Sequence, residues 1–351
     1  MEKTPESPLE MLQRLQRQHA EKARAEGRAT VTPIKKRLIA SSVQIAARLP
    51  DDLLFQHTVF CQTVLPYRDP GPEVREWKRE QGDVRLLLEA GRAYNRKKDA
   101  FVEIGLPFGP AARLILCHLN TEALRTGVPA VEVAGSMTAF IRRLQGYQPN
   151  GYEIGKFKDQ LTRLSTSLIR LALRRDDHAL QINTNIIAGF DLWAERFEGQ
   201  PFVFPQVIKL GADYFASLQE HAIPLDERAV AALAHSAMAL DVYCWLTQRL
   251  HRVDPKRGQF VPWTALHQQF GQGYERIRKF REVFLGILNL VKAQYPAARF
   301  GTDGGGMMLA NSPPPVQRRV VRVGAPEPTP APPVPVPNAQ MLSLPRPDPK
   351  V

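Results

Sequence analysis

Cationic and short polar side chains recur between residues 151 and 175 of the chain. From Glu153 to Arg175, six basic residues stand against two acidic ones. Lysine and arginine suit phosphate oxygens, whereas Gln, Ser, Thr and Arg side chains also suit the edges of bases. The candidates for such contacts in this segment are Lys156, Lys158, Gln160, Arg163, Thr166, Ser167, Arg170, Arg174 and Arg175.

A second segment of the same character begins near residue 274. Its candidate contacts are Arg276, Arg278, Lys279 and Arg281. The whole chain of 351 residues carries 47 Lys and Arg against 35 Asp and Glu, a formal charge of +12. Such a surplus favours a polyanionic partner. Together the two segments predict contact with the grooves of duplex DNA.

The candidate contacts between residues 151 and 175 must be positioned by the elements around them. These elements are predicted to be three helices and a hairpin, which we call the first unit (residues 109–186). Gly109-Pro110 opens a helix that stops at Gly127. A second helix starts at Ser136, and the turn Gln148-Pro149-Asn150-Gly151 leads into a third. That third helix has an apolar face, and two strand-like runs follow it. The apolar face is formed by Ile154, Phe157, Leu161, Leu164 and Leu168, at helical spacing.

The same order returns in the second unit (residues 224–310). Asp226 and Thr264 are the expected caps of two of its helices. A long helix follows from Tyr274, and Pro296 ends it. Residues 298–310 then form a hairpin with its tip at residues 303–306. The apolar face of the long helix is formed by Ile277, Phe280, Phe284, Ile287 and Val291.

The fold class predicted from these patterns is mainly α with small β-hairpins, organised as two winged-helix domains. The predicted parts are a flexible charged helix and basic connector (1–37), a first winged-helix domain with an N-terminal extension (38–200), a second winged-helix domain (201–310) and a disordered tail (311–351). The tail has 13 prolines and few large apolar residues, so it cannot form a core. Residues 38–66 have helical periodicity, and residues 84–104 predict a β-hairpin.

Several classes of protein are disfavoured by what the chain contains. Its three cysteines are widely spaced and form no CxxC pair, which fits a reducing cytoplasm rather than a disulfide framework. The first residues are charged, which predicts no signal peptide. We find no apolar run of the roughly 18 residues that a transmembrane helix needs. We therefore expect a cytoplasmic protein without membrane contact.

Enzymatic activity is not expected. A nicking enzyme would need a Tyr nucleophile and a metal held by a His-apolar-His pair, and no two histidines have that spacing. A GxxxxGK[ST] phosphate-binding loop is also missing, which disfavours an ATP-driven helicase or loader. His57 and Cys61 alone are too few for a metal site. No cofactor and no metal are predicted.

Residues from about 100 to 310 resemble the plasmid-encoded RepA replication initiators with tandem winged-helix domains. The segments that carry the resemblance are LPFGPAARLILCHLNTEALRT, SMTAFIRRL, PLDERAVAALAHSAMALDVYCWLTQRL, FVPWTALHQQFG and KFREVFLGILNLVKAQYPAARF. The resemblance implies binding to repeated sites in a plasmid origin, strand opening, recruitment of the host initiator and replicative helicase, and a possible homodimer. It implies two recognition helices, Lys156 to Ser167 and Tyr274 to Glu282.

One feature departs from that family. The turn before the first recognition helix reads QPNGYEIGKFK, with Glu153 where a more basic or glycine-rich approach is expected. The proline-rich tail also lies outside the resemblance. The alternative to an initiator is a winged-helix transcriptional regulator without a replication role, because both would read a groove in the same way.

Overall fold

The computed structural model describes residues 32–95, 98–133, 135–145, 147–175, 178–184, 186–190 and 207–316. Within these ranges the chain is a mixture of α-helices and small antiparallel sheets. The helices are α1 (Pro33–Ala47), α2 (Thr58–Gln62), α3 (Gly109–Thr126), α4 (Ser136–Gln145), α5 (Gly151–Thr166), α6 (Ala212–His221), α7 (Glu227–Leu233), α8 (Ala237–Arg249), α9 (Trp263–Phe270) and α10 (Ile277–Gln294). The strands are β1 (Leu53–His57), β2 (Glu76–Gln81), β3 (Val84–Glu89), β4 (Arg92–Asn95), β5 (Ala100–Glu103), β6 (Ala130–Glu132), β7 (Leu168–Arg175), β8 (His178–Thr184), β9 (Ile187–Phe190), β10 (Val207–Leu210), β11 (Ala222–Asp226), β12 (Gln259–Pro262), β13 (Arg299–Thr302) and β14 (Gly306–Ala310).

The helices of the first unit begin and end where the local sequence predicts. α3 has Pro110 in its first turn and is followed by Gly127 at a φ of 73°, a conformation that favours glycine. α5 begins with a capping box. In it, the Asn150 side chain accepts a hydrogen bond from the Glu153 N–H, and the Glu153 carboxylate accepts one from the Asn150 N–H, both at 3.0 Å. Glu153 is therefore part of the helix start.

The hairpin of the first unit belongs to a larger sheet. β7 and β8 pair as predicted, but β7 also pairs with β3, and β3 with β2, in the order β2-β3-β7-β8. The predicted hairpin over residues 84–104 is therefore wrong for residues 84–89. Val84, Leu86 and Leu88 are buried, so β3 lies inside the sheet, and only β4 and β5 form a hairpin.

The second unit contains a complete small sheet of its own. The predicted hairpin forms from β13 and β14, and β12 pairs with the other edge of β14, in the order β12-β14-β13. Asp226 caps α7 as expected, through the Arg228 N–H at 2.9 Å. Thr264 is not a cap, because α9 already begins at Trp263.

The two units share one hydrophobic core. β1 pairs with β11, so a strand interrupts the helical periodicity predicted for residues 38–66. Between α3 and α8, Arg113 and Asp241 form a buried bidentate ion pair, with Nε–Oδ1 and Nη2–Oδ2 distances of 2.7 Å. The remaining Arg113 donors bind the carbonyl oxygens of Leu65, Pro66 and Gly109. The guanidinium thus joins both units and the N-terminal extension.

The predicted domain limits near residues 37, 200 and 310 can be compared with the structure one by one. Of the segment 1–37, only residues from 32 onward are described, and α1 starts at Pro33. The boundary predicted at residue 200 lies outside the described residues, as does the tail from 317. Residues 311–316 pack on the second unit: the Tyr295 hydroxyl donates to the Pro313 carbonyl at 2.7 Å, and Ser312 is buried. No helix in the described ranges combines the length and apolar character needed to cross a bilayer.

Candidate nucleic-acid interface

Arg163 on the outward side of α5 is held by contacts within the protein. Its side chain is 16% exposed, and its guanidinium lies 3.0 Å from carboxylate oxygens of both Asp69 and Asp159. It also donates to the Leu106 carbonyl at 3.1 Å and lies 4.9 Å from the centre of the Phe108 ring. The predicted role of Arg163 in reading a base is therefore not supported by its position.

The short polar side chains predicted beside Arg163 also bind within the protein. Gln160 is 4% exposed, and its Oε1 accepts a hydrogen bond from the Phe108 N–H at 2.7 Å. Ser167 is buried, and its hydroxyl donates to the Arg163 carbonyl at 2.6 Å. The half-buried Thr166 donates to the Thr162 carbonyl at 3.0 Å. Gln160 is thus covered by another segment of chain, whereas Ser167 and Thr166 bind carbonyls one turn back along the chain. DNA contact by these three residues stays a prediction.

The start of α5 is the part that faces solvent. Tyr152 is 72% exposed, and the ammonium of the exposed Lys156 lies 4.3 Å from the centre of its ring. Tyr152 was not among the predicted contacts, although its place next to the turn was a usable signal. Lys158 is half-buried, and burial lowers its pKa to about 8. Two lysines of the first predicted set therefore remain near the surface.

The predicted arginines of the first hairpin lie along β7. Arg170 is half-exposed and forms an ion pair with Glu89 of β3. Arg174 and Arg175 are opposite Ala179 and His178 at the end of the strand farthest from α5.

The start of α10 carries the most exposed cationic cluster of the predicted set. The helix begins at Ile277, three residues later than predicted, and Arg276, Arg278 and Lys279 are all exposed. Lys279 lies 3.0 Å from Glu282 in an exposed ion pair, which contributes little to stability. No side chain in the described part of the chain caps this helix at Arg276. Its first N–H groups and the nearby cations therefore present hydrogen-bond donors and positive charge to solvent.

Arg281, one turn farther along α10, connects the helix to the tip of the second hairpin. It donates to the Asp303 carbonyl at 3.0 Å and the Gly304 carbonyl at 3.4 Å, and it lies 5.1 Å from the centre of the Trp263 ring. It therefore positions the hairpin rather than projecting freely into solvent.

The hairpin tip has an internal hydrogen-bond arrangement that holds its shape. The Asp303 carboxylate accepts hydrogen bonds from the N–H groups of Gly306 (2.9 Å) and Gly305 (2.8 Å). These two bonds lower the pKa of Asp303. The indole N–H of Trp263 donates to the Asp303 carbonyl at 3.0 Å. α9, α10 and the hairpin tip are thus fixed to one another.

Residues 106–265 match the family model described as plasmid encoded RepA protein. Less than half of the chain is covered by this match, and we call the matched part the RepA segment. The RepA segment includes α3, α4 and α5 of the first unit and ends within α9 of the second, so α10 follows it in the chain. The resemblance seen in the sequence is confirmed for this segment.

Two crystal structures of domains 2 and 3 of RctB are also similar to this chain. One, of selenomethionine derivatives, has a TM-score of 0.43 at 10% identity, with 72% of this chain and 98% of that chain covered. The other has a TM-score of 0.42 at 10% identity, with 72% and 94% covered. Among curated proteins, none matches the chain.

Proposed function

We propose that this protein is a plasmid replication initiator that binds repeated duplex DNA sites at an origin. The observation that carries the proposal is the exposed cationic start of α10, with Arg276, Arg278 and Lys279 beside a hairpin that Arg281 holds in place. The RepA match supports the replication role. The activity proposed is binding without catalysis.

The second unit is proposed to bind as a winged helix. From α8 onward its order of elements is helix, strand, helix, helix and hairpin, and β12 pairs with β14, the last strand of the hairpin. An α-helix is about 10–12 Å across, and the major groove is about 12 Å wide, so α10 can enter the groove by its first turns. The hairpin of β13 and β14 would then lie along the neighbouring phosphates as the wing.

The first unit is proposed to add backbone contacts rather than base contacts. Lys156 and Lys158 at the start of α5 are proposed to meet phosphates, and Arg170, Arg174 and Arg175 stay predictions for the hairpin. Gln160, Arg163, Thr166 and Ser167 are left out of the proposed surface, because their polar atoms are used inside the protein.

The remaining steps of initiation are proposed from the RepA family resemblance. They are local strand opening at the origin and recruitment of the host initiator and replicative helicase, in the cytoplasm. A homodimer is a further proposed state of the protein.

Footprinting of the full-length protein across the DNA that flanks its own gene tests this function. We expect protection of several regularly spaced repeats, with an affinity that falls steeply as salt increases, because each neutralised phosphate releases counterions. The proposal fails if the protein protects no duplex DNA at low ionic strength.

Replication and transcriptional regulation are separated by a second arm of the same experiment. A small plasmid that carries the gene and the protected repeats should replicate, and deletion of the repeats should abolish its replication. A plasmid that persists when the gene is disrupted, with protection limited to a promoter, would instead indicate a regulator.

A further inference from the structure

Arg79 on β2 is a half-buried cation without a counterion. Its guanidinium carbon lies 4.0 Å from the centre of the Trp77 ring, and its buried Nε has no hydrogen-bond acceptor among the described residues. No carboxylate in the same ranges forms an ion pair with it. Burial lowers the pKa of this guanidinium, because the charged form loses water. Removing a cation from water without a partner costs free energy, so this position favours an anionic ligand.

Tyr67, next to Arg79, has an unused polar group of its own. Its hydroxyl oxygen is buried and has no hydrogen-bond partner in the part of the chain that the structure describes. Burial raises the pKa of this hydroxyl, and the nearby charges of Asp241, Arg113 and Arg79 also act on it. Arg113 differs from Arg79, because its donors bind Asp241 and three carbonyl oxygens. Of the two arginines near Tyr67, only Arg79 therefore lacks an anion.

Arg68 adds a second cation beside Tyr67. It is exposed, and none of the carboxylates described in the structure pairs with it. The neighbouring Asp69 is already bound to Arg163, at 3.0 Å between Oδ2 and Nη2. Arg68 and Arg79 thus supply two positive charges that the described part of the protein does not neutralise.

These arginines lie at the turn that leads into α10. The Tyr67 N–H donates a hydrogen bond to Oε1 of Gln272 at 2.9 Å. Gln272 precedes the exposed Arg276 by four residues, which span at most about 14 Å of chain. That length is close to the width of the major groove, about 12 Å. A duplex whose groove takes the first turn of α10 would therefore have one strand within reach of Arg68 and Arg79.

We propose that Arg68 and Arg79, here called the arginine clamp, bind neighbouring backbone phosphates of the duplex that α10 enters. Arginine suits this role, because its planar guanidinium can donate two parallel hydrogen bonds to a phosphate. Stacking on Trp77 orients the Arg79 guanidinium, and the Tyr67 hydroxyl is available as a further donor. Such contacts fix the register of the protein on the duplex without reading its sequence.

This inference rests on the proposed function, because it takes a duplex bound at α10 as the source of the phosphates. A free phosphate ion is the competing source, since it offers the same oxygen atoms to a guanidinium. The position of the clamp beside the cationic start of α10 favours the duplex, because both would then contact one molecule.

The test measures the affinity of the full-length protein for a fluorescein-labelled duplex from the DNA flanking its gene, over a series of salt concentrations. The clamp variant combines Arg68→Gln with Arg79→Gln. We expect the slope of log affinity against log salt to become shallower by about 1.8, since each lost phosphate contact removes about 0.9. Arg68→Gln alone changes an exposed residue and should remove about 0.9, which keeps the test valid if the double variant does not fold.

A matched variant controls for the loss of charge. Arg249 is also half-buried, with its guanidinium carbon 5.9 Å from the centre of the Trp245 ring, but its Nε donates to Oε1 of Gln259 at 2.9 Å. Arg257 is exposed and, like Gln259, lies at the end of the second unit's sheet away from the hairpin tip. Arg249→Gln combined with Arg257→Gln should leave the slope unchanged.

Circular dichroism checks that each variant is folded. The clamp inference is overturned if the clamp and control variants have the same slope. A second arm compares thermal unfolding in inorganic phosphate and in chloride at equal ionic strength. If phosphate raises the unfolding midpoint of the unmodified protein but not of the clamp variant, while their DNA slopes are equal, the ligand is free phosphate and the duplex contact is wrong. Failure of the proposed function looks different, because the unmodified protein would then show no salt-dependent duplex binding.

Discussion

From α3 in the first unit and from α8 in the second, the two units have the same order of elements. They differ in what covers the outward side of the last helix. In the first unit, Asp69 and the chain at Leu106–Phe108 lie against α5 and occupy Arg163 and Gln160. In the second unit, the first turn of α10 remains open, with Arg276 and Arg278 exposed. The comparison shows that a polar helix face predicted from spacing can be either an exposed surface or an interface inside the protein.

The sheets differ in a related way. The second unit completes its sheet from its own strands, β12, β13 and β14. The hairpin of the first unit is extended by β2 and β3, which come from the N-terminal extension. That extension also supplies Asp69 and the hairpin of β4 and β5. The first unit is therefore covered by segments that precede it in the chain.

The largest effect is expected on the free energy of unfolding, when the ion pair between Arg113 and Asp241 that joins the two units is broken. Asp241→Ala leaves Arg113 buried without its counterion and should lower the free energy of unfolding by about 3–5 kcal/mol. Urea unfolding measured by far-UV circular dichroism tests this value. The double variant Arg113→Met with Asp241→Leu is the control and should recover most of the loss. A loss below about 1 kcal/mol, the range of a solvated pair, would show that the units do not depend on this contact.

A smaller effect is expected on DNA affinity when the cations at the start of α10 or of α5 are removed. Arg276→Gln, Arg278→Gln and Lys279→Gln together should weaken duplex binding about 100-fold at low salt, equivalent to roughly 2.7 kcal/mol, because three contacts of about 1 kcal/mol are lost. Lys156→Gln in the first unit should weaken binding by less than about twofold, equivalent to roughly 0.4 kcal/mol. Fluorescence anisotropy with the same labelled duplex measures both. Equal losses per charge removed would contradict the distinction between the two helices.

The smallest effect is expected at Arg163. Arg163→Ala should lower the free energy of unfolding by about 1–2 kcal/mol, since it removes two partly exposed ion pairs and a bond to a carbonyl. Arg278→Ala is the matched change on α10 and should stay within about 0.5 kcal/mol, because the residue is exposed. Urea titrations of both variants provide the values. Unchanged stability together with a relaxed base preference would instead return Arg163 to the DNA surface.

Local features of this fold followed from the sequence. The turn at Asn150 that leads into α5, the glycine after α3, the cap at Asp226 and the hairpin at residues 299–310 each depend on residues close in the chain. The hydrophobic faces of α5 and α10 were also broadly predicted, because amphipathic spacing depends only on helix geometry. The exposed cations at the start of α10 were among the predicted contacts for the same reason.

What the tertiary structure decided is which polar side chains remain available to a ligand. The partner of Arg163 is Asp69, 94 residues earlier in the chain, and the partner of Arg113 is Asp241, 128 residues later. Likewise, β3 pairs with β7 rather than with β5, and β1 pairs with β11. By itself the sequence determined where helices start, which faces are apolar and that the chain is cationic. It could not determine these distant pairings. The residues next to a carboxylate or a strand edge do not specify which distant residue or strand will pair with it in the folded chain.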